Sequence, residues 1–231
     1  MPYTASEFQK RIDIRFSNED FLNEALTHRS YLNENPRWHV PHNERLEFLG
    51  DAVLELVVTE FLFGRFPSHP EGQLTVFRAA LVNYQMLARV GSDFELEKYI
   101  LMSKGERGDN PRAKEVIVAN AFEAVVGAIY LDQGFDAAKR FSETWLLPHL
   151  DEIVKTKSYK DAKSELQELI QETEKLTPTY RVLEESGPAH EREFRVGVCF
   201  GEEVVAEGTG KSKQEAEIEA AKEALKRFRN N

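Results

Sequence analysis

The chain has one cysteine, Cys199, so no disulfide closes within it. A lone thiol is compatible with a reducing cytoplasm. Cys199 lies in a strand-like run, where a small packing residue is expected. No apolar run reaches the roughly 20 residues that span a bilayer, and the N-terminus lacks a secretion-signal pattern. We therefore expect no membrane partner and a cytoplasmic location. An excess of basic residues is missing too. The net charge is −10; residues 1–159 carry 18 Lys and Arg against 24 Asp and Glu, and residues 160–231 carry 12 against 16. Read naively, that excludes a nucleic-acid partner. A phosphate-binding surface, however, needs local positive charge, not a positive total. His28, His39, His42, His69 and His149 show no zinc-ligand spacing. No Ser-His-Asp arrangement, phosphate-cradling glycine loop or nucleotide fingerprint is evident.

What is present is a chain of 231 residues, 41% hydrophobic and 30% charged, enough for one or two ordinary domains. Apolar residues recur at helical spacing near 5–12, 19–26, 43–61, 73–90, 111–131 and 134–154. Breakers separate them at Asn35-Pro36, Pro67 to Gly72, Gly105 to Pro111 and Gly134. This half reads as an all-α domain over residues 1–155. The polar, basic stretch Lys155 to Lys160 reads as a linker, placed at 156–160. From 161 to 231 the pattern changes. Leu166, Leu169 and Ile170 mark a helix, and Tyr180, Val182 and Leu183 a strand. Phe194, Val196, Val198 and Phe200 alternate with Glu193, Arg195, Gly197 and Cys199, which predicts a half-buried strand. Val204-Val205-Ala206 supplies a third strand, expected to break at Gly208 and Gly210. Ala216, Ala220, Ala221, Ala224, Leu225 and Phe228 share one helical stripe. The order α-β-β-β-α predicts a small α+β domain, an antiparallel sheet with both helices on one face.

The chemistry concentrates in Asn43-Glu44-Arg45-Leu46-Glu47-Phe48-Leu49-Gly50-Asp51. On a helix, Glu44, Glu47 and Asp51 project from nearly one face. Like charges one turn apart repel. A hard divalent cation with oxygen ligands is one answer; a solvated acidic edge is the other. Val116 to Leu131 is almost wholly apolar, as a buried helix is. Glu123 inside it must be paired, protonated or metal-bound. Asn120, one turn earlier, shares its face.

The Asn43–Asp51 string resembles the signature of ribonuclease III, the endonuclease that cuts double-stranded RNA. Thr27-His28-Arg29-Ser30-Tyr31, Glu71-Gly72-Gln73-Leu74 with Arg78 to Asn83, and Phe122-Glu123-Ala124 with Gly127 to Asp132 are similar to further blocks of that family. The C-terminal portion resembles its double-stranded-RNA-binding domain. The resemblance implies that Glu47, Asp51 and Glu123 hold a catalytic Mg²⁺, with Mn²⁺ as a substitute. Asn120 stands where the family usually has Asp; an amide oxygen still ligates Mg²⁺ but carries no full charge. Glu44 and Glu71 match further functional acids, although each is also explained as a first-turn acid on a helix dipole. For Phe48 the resemblance implies packing across a homodimer interface, against ordinary core packing. It implies hydrolysis to 5′-phosphate and 3′-hydroxyl ends, and a role in ribosomal RNA precursor and messenger RNA processing.

Three places would then face RNA. The first is Lys163-Ser164 and Gln167-Glu168 on the opening helix, able to reach 2′-hydroxyls across a minor groove. The second is the turn Gly187-Pro188-Ala189-His190, through Pro188 and His190. The third is Lys211-Ser212-Lys213 at the start of the last helix, suited to a phosphate. Gln214 stands where the family often has a further Lys.

Overall fold

The computed structural model describes residues 4–108, 110–156, 162–188 and 192–229. The chain divides into two compact units, residues 1–159 and 160–231. The first is helical: α1 (Ala5–Ile12), α2 (Glu19–Ala25), α3 (Arg29–Glu34), α4 (Glu44–Arg65), α5 (Glu71–Leu81), α6 (Tyr84–Asp93), α7 (Pro111–Gln133), α8 (Phe135–Trp145) and α9 (His149–Thr156), with a 3₁₀ turn at Leu96–Lys98. The second runs α10 (Ala162–Thr173), β1 (Thr179–Ser186), β2 (Glu193–Phe200), β3 (Glu203–Gly210) and α11 (Lys213–Arg229). No helix among the described residues is long and apolar enough to cross a membrane.

The first unit is built around α7. Its Val118, Phe122, Val125, Val126 and Ile129 are buried, and α2, α4, α6 and α8 pack around it. Phe94 meets Phe122 with ring centroids 6.1 Å apart, and Phe122 meets Phe141 at 5.6 Å.

Two expected helices prove to be pairs. The stretch 73–90 breaks at Asn83. Its Oδ1 accepts the Met86 N–H at 2.9 Å to cap α6, while its Nδ2 donates to the carbonyls of Ala79 and Ala80. A residue that caps one helix and closes another cannot sit inside either. The stretch 134–154 breaks at Leu146 to Pro148. Proline has no N–H to donate and disfavours helical backbone in the residue before it. Periodicity also overlooked α3, which is a turn and a half long. Thr156, assigned to the linker by composition, is the last residue of α9; the linker residues 157–160 lie outside the described residues.

In the second unit the strands pair antiparallel in the order β1-β2-β3, with Tyr180 opposite Val198 and Val198 opposite Ala206. Leu166, Ile170, Val198, Ala206, Ala220, Ala221 and Ala224 form its core. Gly208 and Gly210 do not break β3. A Cβ at Gly208 would lie 2.1 Å from the Ala220 nitrogen, and one at Gly210 2.6 Å from the Ala216 nitrogen. These glycines let α11 press directly onto the strand. Nor is β2 cleanly half-buried. Gly197 and Cys199 on its other face are covered as well, with Leu183 and Val204 closing over Gly197.

Candidate active site and nucleic-acid interface

The α4–α7 crossing is unusually close because both helices carry glycine there. A Cβ on Gly50 would meet the Glu123 carbonyl oxygen at 1.8 Å, and one on Gly127 would meet the Leu46 carbonyl oxygen at 2.4 Å. Glu47 and Asp51 flank Gly50, and Asn120 and Glu123 precede Gly127. Backbone contact at the glycines therefore gathers these four side chains. The Asn120 amide lies close enough to the Glu47 carboxylate to favour its charged form.

The electrostatics follow from this crowding. Burial pushes the Glu47 carboxyl up, and the charges of Glu44 and Asp51 add to that, against the Asn120 amide. Glu123 goes further, to about 8, through burial first and then Asp51 and Glu47. Every influence resolved at Glu123 disfavours its charge. Three hard carboxylates and an amide crowded in this way fit a hard divalent cation. Among the described residues no group of three or more His, Cys, Asp or Glu side chains stands in metal-holding geometry. The acids are electrostatic neighbours, not a closed ligand cage.

The other acids are placed differently. Glu44 lies one turn before Glu47, 3.6 Å from Arg29 and 3.8 Å from His42. Glu71 opens α5, accepts the Thr75 hydroxyl at 3.0 Å, and lines a cavity of about 400 Å³ with Thr59, Phe63 and His69. Thr59 and Phe63 lie roughly 18–24 Å along α4 from Glu47, at 1.5 Å per residue. Within one protomer Glu71 does not join the cluster. Phe48 is 81% exposed and is not core. It begins a stripe on α4 that continues through Ala52, Leu56 and Phe63, all exposed.

The sequence reading missed what anchors α4. Asn43 is buried; its N–H donates to the Thr27 carbonyl at 2.9 Å and its Nδ2 to the Ala25 carbonyl at 3.3 Å. Thr27 in turn accepts the Trp38 indole N–H at 3.0 Å. The signal was present in Thr27 and Asn43 of the family-like strings, but nothing in their spacing gave them a role.

In the second unit, Ser164, Gln167 and Glu168 lie exposed on α10. Lys163 is instead drawn inward, 2.6 Å from Glu217 and 4.6 Å above the Tyr180 ring. Pro188 is exposed, and His190 lies outside the described residues. Ser212 caps α11: its Oγ accepts the Glu215 N–H at 3.1 Å, and Glu215 accepts the Lys211 N–H at 2.9 Å. Lys211 and Lys213 are exposed beside that cap, with Lys213 Nζ 5.8 Å from the Phe194 ring centroid.

Comparison with known proteins bears on both units. Residues 18–150 match the model of the ribonuclease-III-like family, and residues 162–227 that of the double-stranded RNA binding motif. The chain belongs to the ribonuclease III family. "Ribonuclease 3" of Bacillus licheniformis is 41% identical over 225 residues, covering 97% of this chain and 90% of that protein. "Ribonuclease 3" of Bdellovibrio bacteriovorus is 45% identical over 218 residues, covering 94% and 93%. Among solved structures, the nuclease domain of ribonuclease III from Campylobacter jejuni matches with a TM-score of 0.57 and 38% identity, over 63% of this chain and 99% of that one. That structure is described as showing flexibility in the region involved in dimer formation. This ribonuclease III is thus an endoribonuclease acting on double-stranded RNA, with a helical nuclease domain followed by a double-stranded-RNA-binding domain.

Proposed function

We propose that the enzyme hydrolyses phosphodiester bonds of double-stranded RNA in a Mg²⁺-dependent reaction, as a homodimer, leaving 5′-phosphate and 3′-hydroxyl ends. The observation that carries this reading is the convergence of Glu47, Asp51 and Glu123 at the glycine-lined crossing, where burial and the charges of Asp51 and Glu47 disfavour ionised Glu123. These three hold the cation, and the Asn120 amide faces it. When bound, a divalent ion supplies Lewis-acid chemistry to phosphodiester hydrolysis; Mn²⁺ has the same ligand preference. Gly50 and Gly127 fix the spacing of the acids, and the Asn120 amide favours the charged form of Glu47. Ser164 and Gln167 reach across a minor groove, while Lys211 and Lys213 meet phosphates. Together they read duplex shape over about 16 base pairs.

The exposed α4 stripe supports the dimer. Its ends, Phe48 and Phe63, are 81% and 75% exposed, and they are equidistant from a point between Glu55 and Leu56. A two-fold axis at that point runs the two α4 helices antiparallel. It sets Phe48 of one subunit against the cavity beside Phe63 of the other. The same operation carries Glu71 of one subunit toward the acidic cluster of the other. Structured ribosomal RNA precursors and messenger RNAs, in the cytoplasm, are the substrates that family membership supports. Incubation of the protein with a long RNA duplex in Mg²⁺, against an EDTA control, tests the reading. Discrete short products whose 5′ ends are phosphorylated are expected; an intact duplex in Mg²⁺ would overturn it.

A further inference from the structure

Arg29 is an exposed cation on a heavily fixed backbone. Its side chain is 72% exposed, yet the residues around it are pinned from several directions. The His28 N–H donates to the Leu101 carbonyl at 2.9 Å, and Leu101 returns a bond to Leu26 at 2.7 Å. His28 Nδ1 accepts the Ser30 N–H at 3.3 Å, and Ser30 Oγ accepts the Ser103 N–H at 3.0 Å. The preceding Thr27 carbonyl holds Asn43 at the mouth of α4. The mounting of Arg29 is thereby tied to the helix that carries Glu47 and Asp51. The guanidinium lies 3.6 Å from one oxygen of Glu44, and His42 Nδ1 lies 3.8 Å from the other. Glu44 is half exposed and one turn before Glu47. An exposed pair at this separation adds little to stability, so stability does not explain the rigid mounting. An arginine fork suits a phosphate diester, and this one stands beside acids that would otherwise repel the RNA backbone.

We propose that Arg29 is a phosphate-binding residue of the nuclease domain, held beside the acidic cluster by Glu44, whose carboxylate is its counter-ion and not a metal ligand. The inference rests on the proposed metal-dependent cleavage of duplex RNA. The test is steady-state cleavage of one duplex by the full-length protein, across monovalent salt at fixed Mg²⁺ and across Mg²⁺ at fixed salt. Arg29→Ala should raise KM by about tenfold and flatten the slope of log(kcat/KM) against log[salt] by about 0.9, with an unchanged Mg²⁺ midpoint. Arg29→Lys should restore the slope but only part of KM, because an ammonium lacks the fork. Glu44→Gln should add no loss of kcat/KM on top of Arg29→Ala. A parental KM and salt slope in Arg29→Ala would overturn the proposal. So would a further loss of kcat/KM when Glu44→Gln is combined with Arg29→Ala. Thermal unfolding checks that each variant folds, and Arg29→Lys gives a readout should the alanine variant not fold. Absence of any Mg²⁺-dependent cleavage by the parental protein would defeat the functional reading itself; parental cleavage with an indifferent Arg29 would defeat this proposal alone.

Discussion

At the α4–α7 crossing, Glu47, Asp51 and Glu123 stand together; the charge of Asp51 bears on both glutamates, and that of Glu47 on Glu123. On the surface of the RNA-binding domain the pattern is reversed. Arg195 bridges Glu184 at 2.8 Å and Glu207 at 3.0 Å, Arg192 pairs with Glu185 at 2.9 Å, and Lys163 pairs with Glu217 at 2.6 Å. One domain concentrates like charge in a half-buried place; the other disperses opposite charge over its surface. Crowded carboxylates have a use only where something positive is to be bound. Lys211 and Lys213 stand exposed beside the α11 cap, outside these pairs among the described residues. A net charge of −10 does not exclude RNA binding, because phosphates respond to local positive charge and not to the total.

The sharpest way to break the comparison is to remove the central acid. Glu123→Gln should lower the cleavage rate about a thousand-fold or more, roughly 4 kcal/mol of transition-state stabilisation. Its RNA affinity should stay parental, because the contacts of the second domain are untouched. A variant cleaving at the parental rate would show that the crowded acids hold no catalytic ion.

The second test uses the glycines that shape each domain. Gly50→Ala and Gly208→Ala both push a methyl into backbone, at 1.8 Å and 2.1 Å. Each should cost stability at or above the upper end of about 1–3 kcal/mol for overpacking, read by thermal unfolding. Gly50→Ala should abolish cleavage while duplex binding persists. Gly208→Ala should weaken binding while cleavage at low salt persists. Identical phenotypes would erase the division between the domains.

How much of this was legible in the sequence follows from which forces act locally. Helical periodicity gave α4 and α7, because their stripes run over many turns, and alternation gave β2. The helix breaks at Asn83 and Pro148 were written in single residues that a periodicity window averages over. Gly208 and Gly210 were misread as breakers because their purpose, close approach of α11, is tertiary. Helix-face spacing and the family-like string singled out the acids at 47 and 51, and an apolar helix with a second such string the acid at 123. Their meeting depends on Gly50 and Gly127, which no local pattern exposes. The partners of Glu44 and the isolation of Glu71 from the cluster could only come from three dimensions.

A smaller effect is expected from Lys211 and Lys213. Changing both to Ala should weaken duplex binding about equally for unrelated sequences, and flatten the salt dependence by about 1–2 in slope. Loss confined to one RNA sequence would contradict phosphate contacts. Smaller still is Asn120→Asp. It puts a fourth carboxylate beside Glu47, and should lower the Mg²⁺ concentration for half-maximal cleavage several-fold. Superimposable titrations would place Asn120 outside the ion's reach.

The central claim is that the acids at the glycine-lined crossing bind the divalent ion. Calorimetric titration of Mg²⁺ into the full-length protein without RNA tests it most directly, with the parental chain and Glu123→Gln side by side. A saturable binding heat in the parental protein that disappears in Glu123→Gln is expected. Equal isotherms for the two proteins would contradict it.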